Sequence, residues 1–336
     1  MTRSTSSLGL SKNNQRSTRP SSKSVSSSSS RSHSPKPLKS PTINFYSFNP
    51  INRDLNDILR NFVDELCDVF IKARQDGKNE AQTVVIIANF TSSKDQELSQ
   101  IYDWLLNNTH KDKYKTLLGY FYDQGVATKR NQRKAYCLYL SAAKKGYPIA
   151  EDLLGDCYYS GQGTTRDRDM AFEWYQKAAN NGSTGSQFSL GICYAFGEGT
   201  SKDVNKAFQC YKKSANGGNA SGMNELGYCY EVGIGTRKDN RKAFLLFEQA
   251  AKGGNPPGQH NLASCYEEGK GTEEDLDKAI YWYKMSADNG HEVAKQRVQS
   301  LLNLISYHPH IEDSLSSKGV DMNLLNNQIG ELNLNA

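Results

Sequence analysis

Residues 154–167 read LGDCYYSGQGTTRD. Two readings compete for this stretch: a glycine loop that cradles phosphate beside a reactive thiol, or the turn between two helices. A phosphate loop needs a strand before it and Lys-Ser/Thr after its last glycine. Here Thr164 follows Gly163, charged residues come next, and the preceding residues are helical in pattern. The stretch also recurs. Gly155 has counterparts at steps of thirty-six residues at Gly119, Gly191 and Gly227, with Ala263 in fifth place. The same step links Tyr122, Tyr158, Tyr194, Tyr230 and Tyr266, and again Gly125, Gly161, Gly197, Gly233 and Gly269. Five units without an insertion are the signature of a solenoid. The glycine loop is therefore a turn and a cap.

Each unit reads as two helices. The first carries L-G-x-x-Y, as in LGDCYY, LGICYA and LGYCYE. The second carries a Lys or Met, then Ala and a run of aromatics, as in MAFEWYQKAA, KAFQCYKKSA and KAIYWYKMSA. Gly and Ala belong where paired helices approach closely, because larger side chains would hold them apart. Tyr175, Tyr211, Phe247 and Tyr283 are expected to fill the space between the helices. The Gly ending each first helix can take the left-handed conformation that caps it. Asp167, Asp203, Asp239 and Asp275, with Asn131 before them, are N-cap residue types.

This constellation resembles the Sel-1-like repeat, a relative of the tetratricopeptide repeat. The pattern L-G-x-x-Y-x-x-G-x-G-[VT]-x-x-D-x-x-K-A-x-x-W-Y-x-K-A-A is matched nearly complete in residues 154–182 and well in 190–218, 226–254 and 262–290. Unit 118–146 departs: it lacks the second Gly and has Asn131 for the Asp. The resemblance implies an all-α, α/α superhelical solenoid of five 36-residue helix pairs, acting as a scaffold or adaptor. The YDWLLNN preamble and Ser-rich tail are similar to those of fungal Sel-1-like repeat scaffold proteins.

Outside the repeats the chain divides by composition. Residues 1–43 are Ser-rich and basic, with too little apolar surface to offset the entropy of ordering; they read as a disordered tail. Nine Lys or Arg precede the first acidic residue, Asp54, leaving 32 basic against 36 acidic residues in the remainder. An acid-free, Arg/Ser-rich start fits a mitochondrial transit peptide by composition, but only Leu8, Leu10 and Val25 could form its apolar face. Residues 44–112 read as a helical N-terminal capping region. Apolar residues from Ile51 to Ala73 recur at three and four, which predicts one long amphipathic helix. QTVVIIANF (82–90) is open between helix and short buried strand, and 95–108 is helical. The solenoid is placed at 113–306, closed by a helix over 292–305. Residues 307–336 read as a flexible tail in which Met322, Leu325, Ile329 and Leu332 could form a short docking helix.

Function classes narrow by elimination. Mean hydropathy is −0.71. No apolar run approaches about 18 residues, so no membrane span is expected, and MTRSTSSLGL has no apolar core of a secretory signal. Seven Cys, an odd count, fit reduced thiols in the cytoplasm, with the nucleus as alternative. Cys157, Cys193, Cys229 and Cys265 sit at the repeat step, about 10 Å apart on ordinary helix spacing, too far for disulfides. Zinc would want Cys or His pairs at short spacing, and the six His are scattered. HKD at 110–112 lacks the other kinase motifs. No catalytic constellation, cofactor or metal is assigned. The tail has no aromatic residue before Phe45 to stack on bases, so no specific nucleic acid is expected.

What remains is a binding surface. By analogy with tetratricopeptide repeats, the first helix of each unit lines the concave face, at positions −3, +1 and +4 from the repeat Gly. These are Thr116, Tyr120 and Asp123; Asp152, Asp156 and Tyr159; Phe188, Ile192 and Ala195. The last two units supply Asn224, Tyr228 and Glu231, then His260, Ser264 and Glu267. Core positions should be alike between repeats, and these are not. The set is acidic and aromatic with an apolar centre, so the expected partner is a protein or peptide, basic or bearing an apolar anchor. The chain's own basic tail could occupy the same groove, released by phosphorylation at Ser34 or Ser40, each followed by Pro. The leading function is a non-enzymatic scaffold in signalling. The alternative is a regulatory or activating subunit of an enzyme, for example of fungal cell-wall synthesis or a kinase pathway.

Overall fold

The computed structural model describes residues 50–307. They belong to the second of two units into which the chain divides, Asn49–Ala336. The tail with Ser34 and Ser40, and the segment holding Met322, Leu325, Ile329 and Leu332, lie outside the described residues. Among the described residues there are fourteen helices and no strand. Helices α1 (Pro50–Gln75), α2 (Glu80–Ser93) and α3 (Leu98–Asn107) precede the repeats. Five pairs follow: α4 (Asp112–Gln124) with α5 (Gln132–Ala143), α6 (Pro148–Ser160) with α7 (Arg168–Asn180), and α8 (Thr184–Phe196) with α9 (Val204–Asn216). Then come α10 (Ala220–Val232) with α11 (Asn240–Lys252), α12 (Pro256–Glu268) with α13 (Leu276–Asp288), and the closing α14 (Glu292–Tyr307). The first helix of each pair forms layer A and the second layer B. Sequence neighbours pack on one another, and α10 also touches α8 and α12, which brings the A layer together on the inner side of the stack.

The ambiguous stretch 82–90 is helical, inside α2. Asn79 and Gln82 form a reciprocal capping box that starts it. Thr83, Ile87 and Thr91 then share one buried face, four residues apart. Both Thr hydroxyls are satisfied within the helix: Thr83 Oγ1 donates to Asn79 O at 2.8 Å and Thr91 Oγ1 to Ala88 O at 2.8 Å. A continuous apolar run hid that period from the sequence.

Within each pair a ring lies flat where a side chain is missing. A Cβ placed on Gly155 would sit 2.5 Å from Tyr175 Cε1, and one on Gly227 would sit 2.7 Å from Phe247 Cε1. Gly191 faces Tyr211 in the same way, and Gly119 faces Tyr139, the first member of the series. In the fifth pair Ala263 and Tyr283 are buried in one cluster. Gly161 ends α6 at φ 75° and donates to Cys157 O at 2.8 Å. Asp167 then accepts from Met170 N at 3.0 Å to start α7.

Between pairs the contact is aromatic and edge-on. Tyr136 meets Tyr158, Phe172 meets Tyr194, Phe208 meets Tyr230 and Phe244 meets Tyr266, with centroids 5.4–5.8 Å apart. Each such pair contributes about 0.5–1.5 kcal/mol beyond area burial. Cys157, Cys193, Cys229 and Cys265 are free and buried, small apolar spacers in the same stack.

Candidate functional site

The inner face of the A layer is not open along its whole length. Helix α1 ends at Gln75, and residues 76–79 run as a non-helical strap to α2. At its head, Arg74 Nη2 donates to Asp152 Oδ2 at 3.0 Å and to Asp156 Oδ2 at 2.8 Å. Asp152 also accepts from Ser186 Oγ at 2.5 Å, and Asp156 from the Tyr175 hydroxyl at 2.8 Å. The Arg74 and Asp152 side chains keep only 12% and 3% of their exposure, whereas Asp156 keeps 34%. Burial opposes the Arg74 charge, but Asp152 and Asp156 outweigh it and hold its pKa above the ordinary value. Burial and the neighbouring Asp152 raise the Asp156 carboxyl, against the pull of Arg74.

The strap then crosses two further repeats, 184–219 and 220–255. Gln75 O accepts from Thr184 Oγ1 at 2.7 Å and from Asn219 Nδ2 at 3.1 Å. Asp76 O accepts from Ala220 N at 3.1 Å. Gly77 O accepts from Ser221 Oγ at 3.5 Å. Lys78 Nζ donates to Gly253 O at 2.5 Å and Gln82 Nε2 to Gly254 O at 2.8 Å. Beside it remains a cleft of about 290 Å³ lined by Arg74, Glu80, Asp152, Asp156 and Phe188.

This arrangement sorts the residues expected to face a partner. In the first two pairs the face is closed by the chain itself. Thr116 is buried, and Tyr120 is buried with its hydroxyl donating to Glu80 O at 3.0 Å. Asp123 is buried too, and burial raises its carboxyl. Asp152 and Asp156 are held by Arg74. Tyr159 lies under the Arg168 guanidinium, 3.4 Å from its ring centroid. In the last two pairs the acids also have partners. Glu231 pairs with Lys270 Nζ at 3.4 Å. Glu267 pairs with Arg297 and accepts from the Tyr283 hydroxyl at 2.8 Å. Asn224 is buried and accepts from Asn261 Nδ2 at 2.9 Å. His260 sits between Tyr283 and His291, with centroids 5.1 and 4.9 Å away, and Ser264 donates to Glu268 at 2.7 Å.

The apolar centre stays accessible. Phe188, Ile192 and Ala195 are half-buried against the α9–α10 core. Tyr228 is 45% exposed. Two residues the sequence reading passed over join them: Phe196 at 73% and Val232 at 52% exposure. They lie one turn beyond Ile192 and Tyr228, thirty-six residues apart. The other pairs have Gln124, Ser160 and Glu268 there, so the change from polar to apolar is itself a signal in the sequence. Arg74 was missed because it lies outside the repeats.

A stack of helix pairs presenting one varied face defines the class of α/α repeat scaffolds. The Sel1 repeat matches residues 116–147, 148–183, 184–219, 220–255 and 256–291, a little over half the chain, and the protein belongs to the Sel1 repeat family. It is similar to a Sel1 repeat protein from Oxalobacter formigenes, 30% identical over 64% of this chain and 86% of that one, with a TM-score of 0.56. It is also similar to a protective antigen with an SLR fold from uropathogenic Escherichia coli strains, 25% identical with a TM-score of 0.50. That match covers 74% of this chain and 59% of the antigen. No curated protein matches. Sel1 repeats generally form non-enzymatic scaffolds for protein–protein interaction. Among the described residues no helix is long and apolar enough to cross a membrane.

Proposed function

We propose that this chain is a non-enzymatic signalling scaffold that docks a protein or peptide partner on the inner face of its A helices. The patch of Ile192, Phe196, Tyr228 and Val232 supports this reading. Large exposed apolar side chains on neighbouring helices, here Phe196 at 73%, Val232 at 52% and Tyr228 at 45% with Ile192 half-buried beside them, mark interaction sites. The partner would bring an apolar anchor to this patch. A basic partner would have to compete with Arg74, Lys270 and Arg297, which already neutralise acids of the groove. Seven unpaired thiols support a reducing compartment, the cytoplasm or nucleus.

The test is affinity purification from the native cell, intact protein against a Phe196→Glu/Val232→Lys variant, with the fold checked by circular dichroism. A partner enriched by the first, lost from the second, and binding the purified chain directly supports the proposal. Equal recovery by both refutes it.

A further inference from the structure

The strap has the features of a bound peptide. Its six residues from Gln75 to Glu80 include no apolar side chain, so no hydrophobic burial holds it. Three consecutive carbonyls, of Gln75, Asp76 and Gly77, accept from the rim of α8 and α10. Contacts of this kind read a main chain and not a side-chain sequence. Two of the donor residues hold equivalent positions, Thr184 giving its hydroxyl and Ala220 its amide. Thr184 and Ala220 are the first residues of successive A helices, and the Ala220 amide is one of the donors a helix start leaves without an internal partner. Specificity sits at one end, where a single guanidinium enters a cradle of two carboxylates.

We propose that the rim formed by Asp152, Asp156, Thr184, Asn219 and Ser221 is a binding site for an extended, arginine-headed peptide, and that residues 74–82 fill it as a displaceable intramolecular ligand. A partner with an exposed Arg followed by a flexible, polar stretch replaces the strap. The cleft beside Asp156 and Phe188 is its point of entry. The covalent link gives the strap an effective concentration in the millimolar range, so a free peptide at micromolar concentration loses to it in the resting protein. Release of the strap uncovers the N-terminal half of the A-helix face next to the apolar patch. The inference rests on the reading of that face as a partner surface, but its probe is a peptide that does not touch the patch.

The strap can be loosened without substituting a rim residue. Gly77 has φ +77°, and a Cβ there would lie 2.7 Å from Asn219 Oδ1. Gly77→Ala therefore disfavours the bound strap by backbone strain and by contact, at no cost in charge. The full-length variant is titrated with a fluorescent peptide of residues 73–83, and the Ala220 amide is followed by hydrogen exchange. We expect the peptide to bind the variant about tenfold more tightly than the wild type, the size of one left-handed backbone penalty. The same peptide with Ala at the Arg position should not bind. Ala220 should exchange about tenfold faster in the variant and slow again when peptide is added, while the Leu226 amide inside α10 is unmoved. Lys78→Met, which removes only the bond to Gly253 O, serves as a second variant should Gly77→Ala fail to fold. The proposal is overturned if the peptide binds neither variant at millimolar concentration. It is equally overturned if Ala220 exchanges only with global unfolding. Peptide binding that survives in the Phe196→Glu/Val232→Lys background, whatever that variant does to the native partner, keeps the two readings separable.

Discussion

Replacing Arg74 with Met removes one charge and keeps most of the volume. The two carboxylates it serves then fare differently. Asp152, with 3% of its side chain exposed, keeps only Ser186 as a bond partner and becomes an uncompensated buried charge. Breaking a buried pair in this way costs about 3–5 kcal/mol. Asp156, at 34% exposure, keeps the Tyr175 hydroxyl as a donor and reaches water, so its part is smaller, about 1 kcal/mol. The expected loss is therefore about 3–5 kcal/mol, nearly all of it through Asp152. Asp152→Asn alone should cost less, about 1–2 kcal/mol, because Arg74 keeps Asp156 and Ser186 keeps an acceptor. The double variant should then be less destabilised than the sum of the two by about 2 kcal/mol. Urea unfolding followed by circular dichroism measures all four proteins. A loss below about 1 kcal/mol for Arg74→Met would mean that the pair behaves as an exposed one, and the account of a buried anchor would be wrong.

Three further outcomes follow from the packing. Gly191→Leu drives a side chain into the Tyr211 ring and should cost about 1–3 kcal/mol or more by overpacking; an unchanged melting temperature would mean that the close contact is misplaced. Ala127 holds φ 53° at a place where later repeats have Gly163, Gly199, Gly235 and Gly271. Ala127→Gly should raise stability by about 0.5–1 kcal/mol, a left-handed penalty of about 1–2 less the entropy Gly adds to the unfolded chain, and a fall in the denaturation midpoint would refute this. Burial, and for His260 also the neighbouring His291, lowers both imidazole pKa values; Glu267 and Arg297 face the pair. Protonation is thus harder in the folded state, so stability is full above the ordinary His value and declines as pH falls through it. Thermal melts between pH 7.5 and 5 should show this decline, and His291→Asn, which can still accept from Ala294 N at the start of α14 as His291 Nδ1 does, should reduce it. A flat profile would contradict the sign.

The repeats were legible because each one solves the same local problem. A Gly must stand where Tyr175 or Tyr211 lies flat, a left-handed Gly must end the first helix, and an Asp must begin the second. These demands act within a few tens of residues and recur at one step, so a single sequence displays them in five units, with Ala263 and Asn131 the two departures. The capping region had no such redundancy. Helix α2 buries Thr83 and Thr91 and exposes Val85, the reverse of the pattern that reveals a helical face, so its type stayed open until Asn79 and Gln82 were seen to start it.

The groove shows that a recognition signal can have a source inside the chain itself. Positions that differ between repeats need a partner of their own, inside the chain or outside it. At Asp152 and Asp156 the thing recognised is Arg74, seventy-eight and eighty-two residues earlier in the same chain. Periodicity carries no trace of such a long-range pair. Once the internal partners are subtracted, four acids of the groove are paired: Arg74 takes two, Lys270 takes Glu231 and Arg297 takes Glu267, while Asp123 is buried and accepts from Gln124. Among the described residues, the variation left exposed is apolar, at Phe196, Tyr228 and Val232 on the third and fourth A helices. A partner selected by that remainder is met first by hydrophobic contact. Charge enters only if the partner's own arginine can take the place of Arg74.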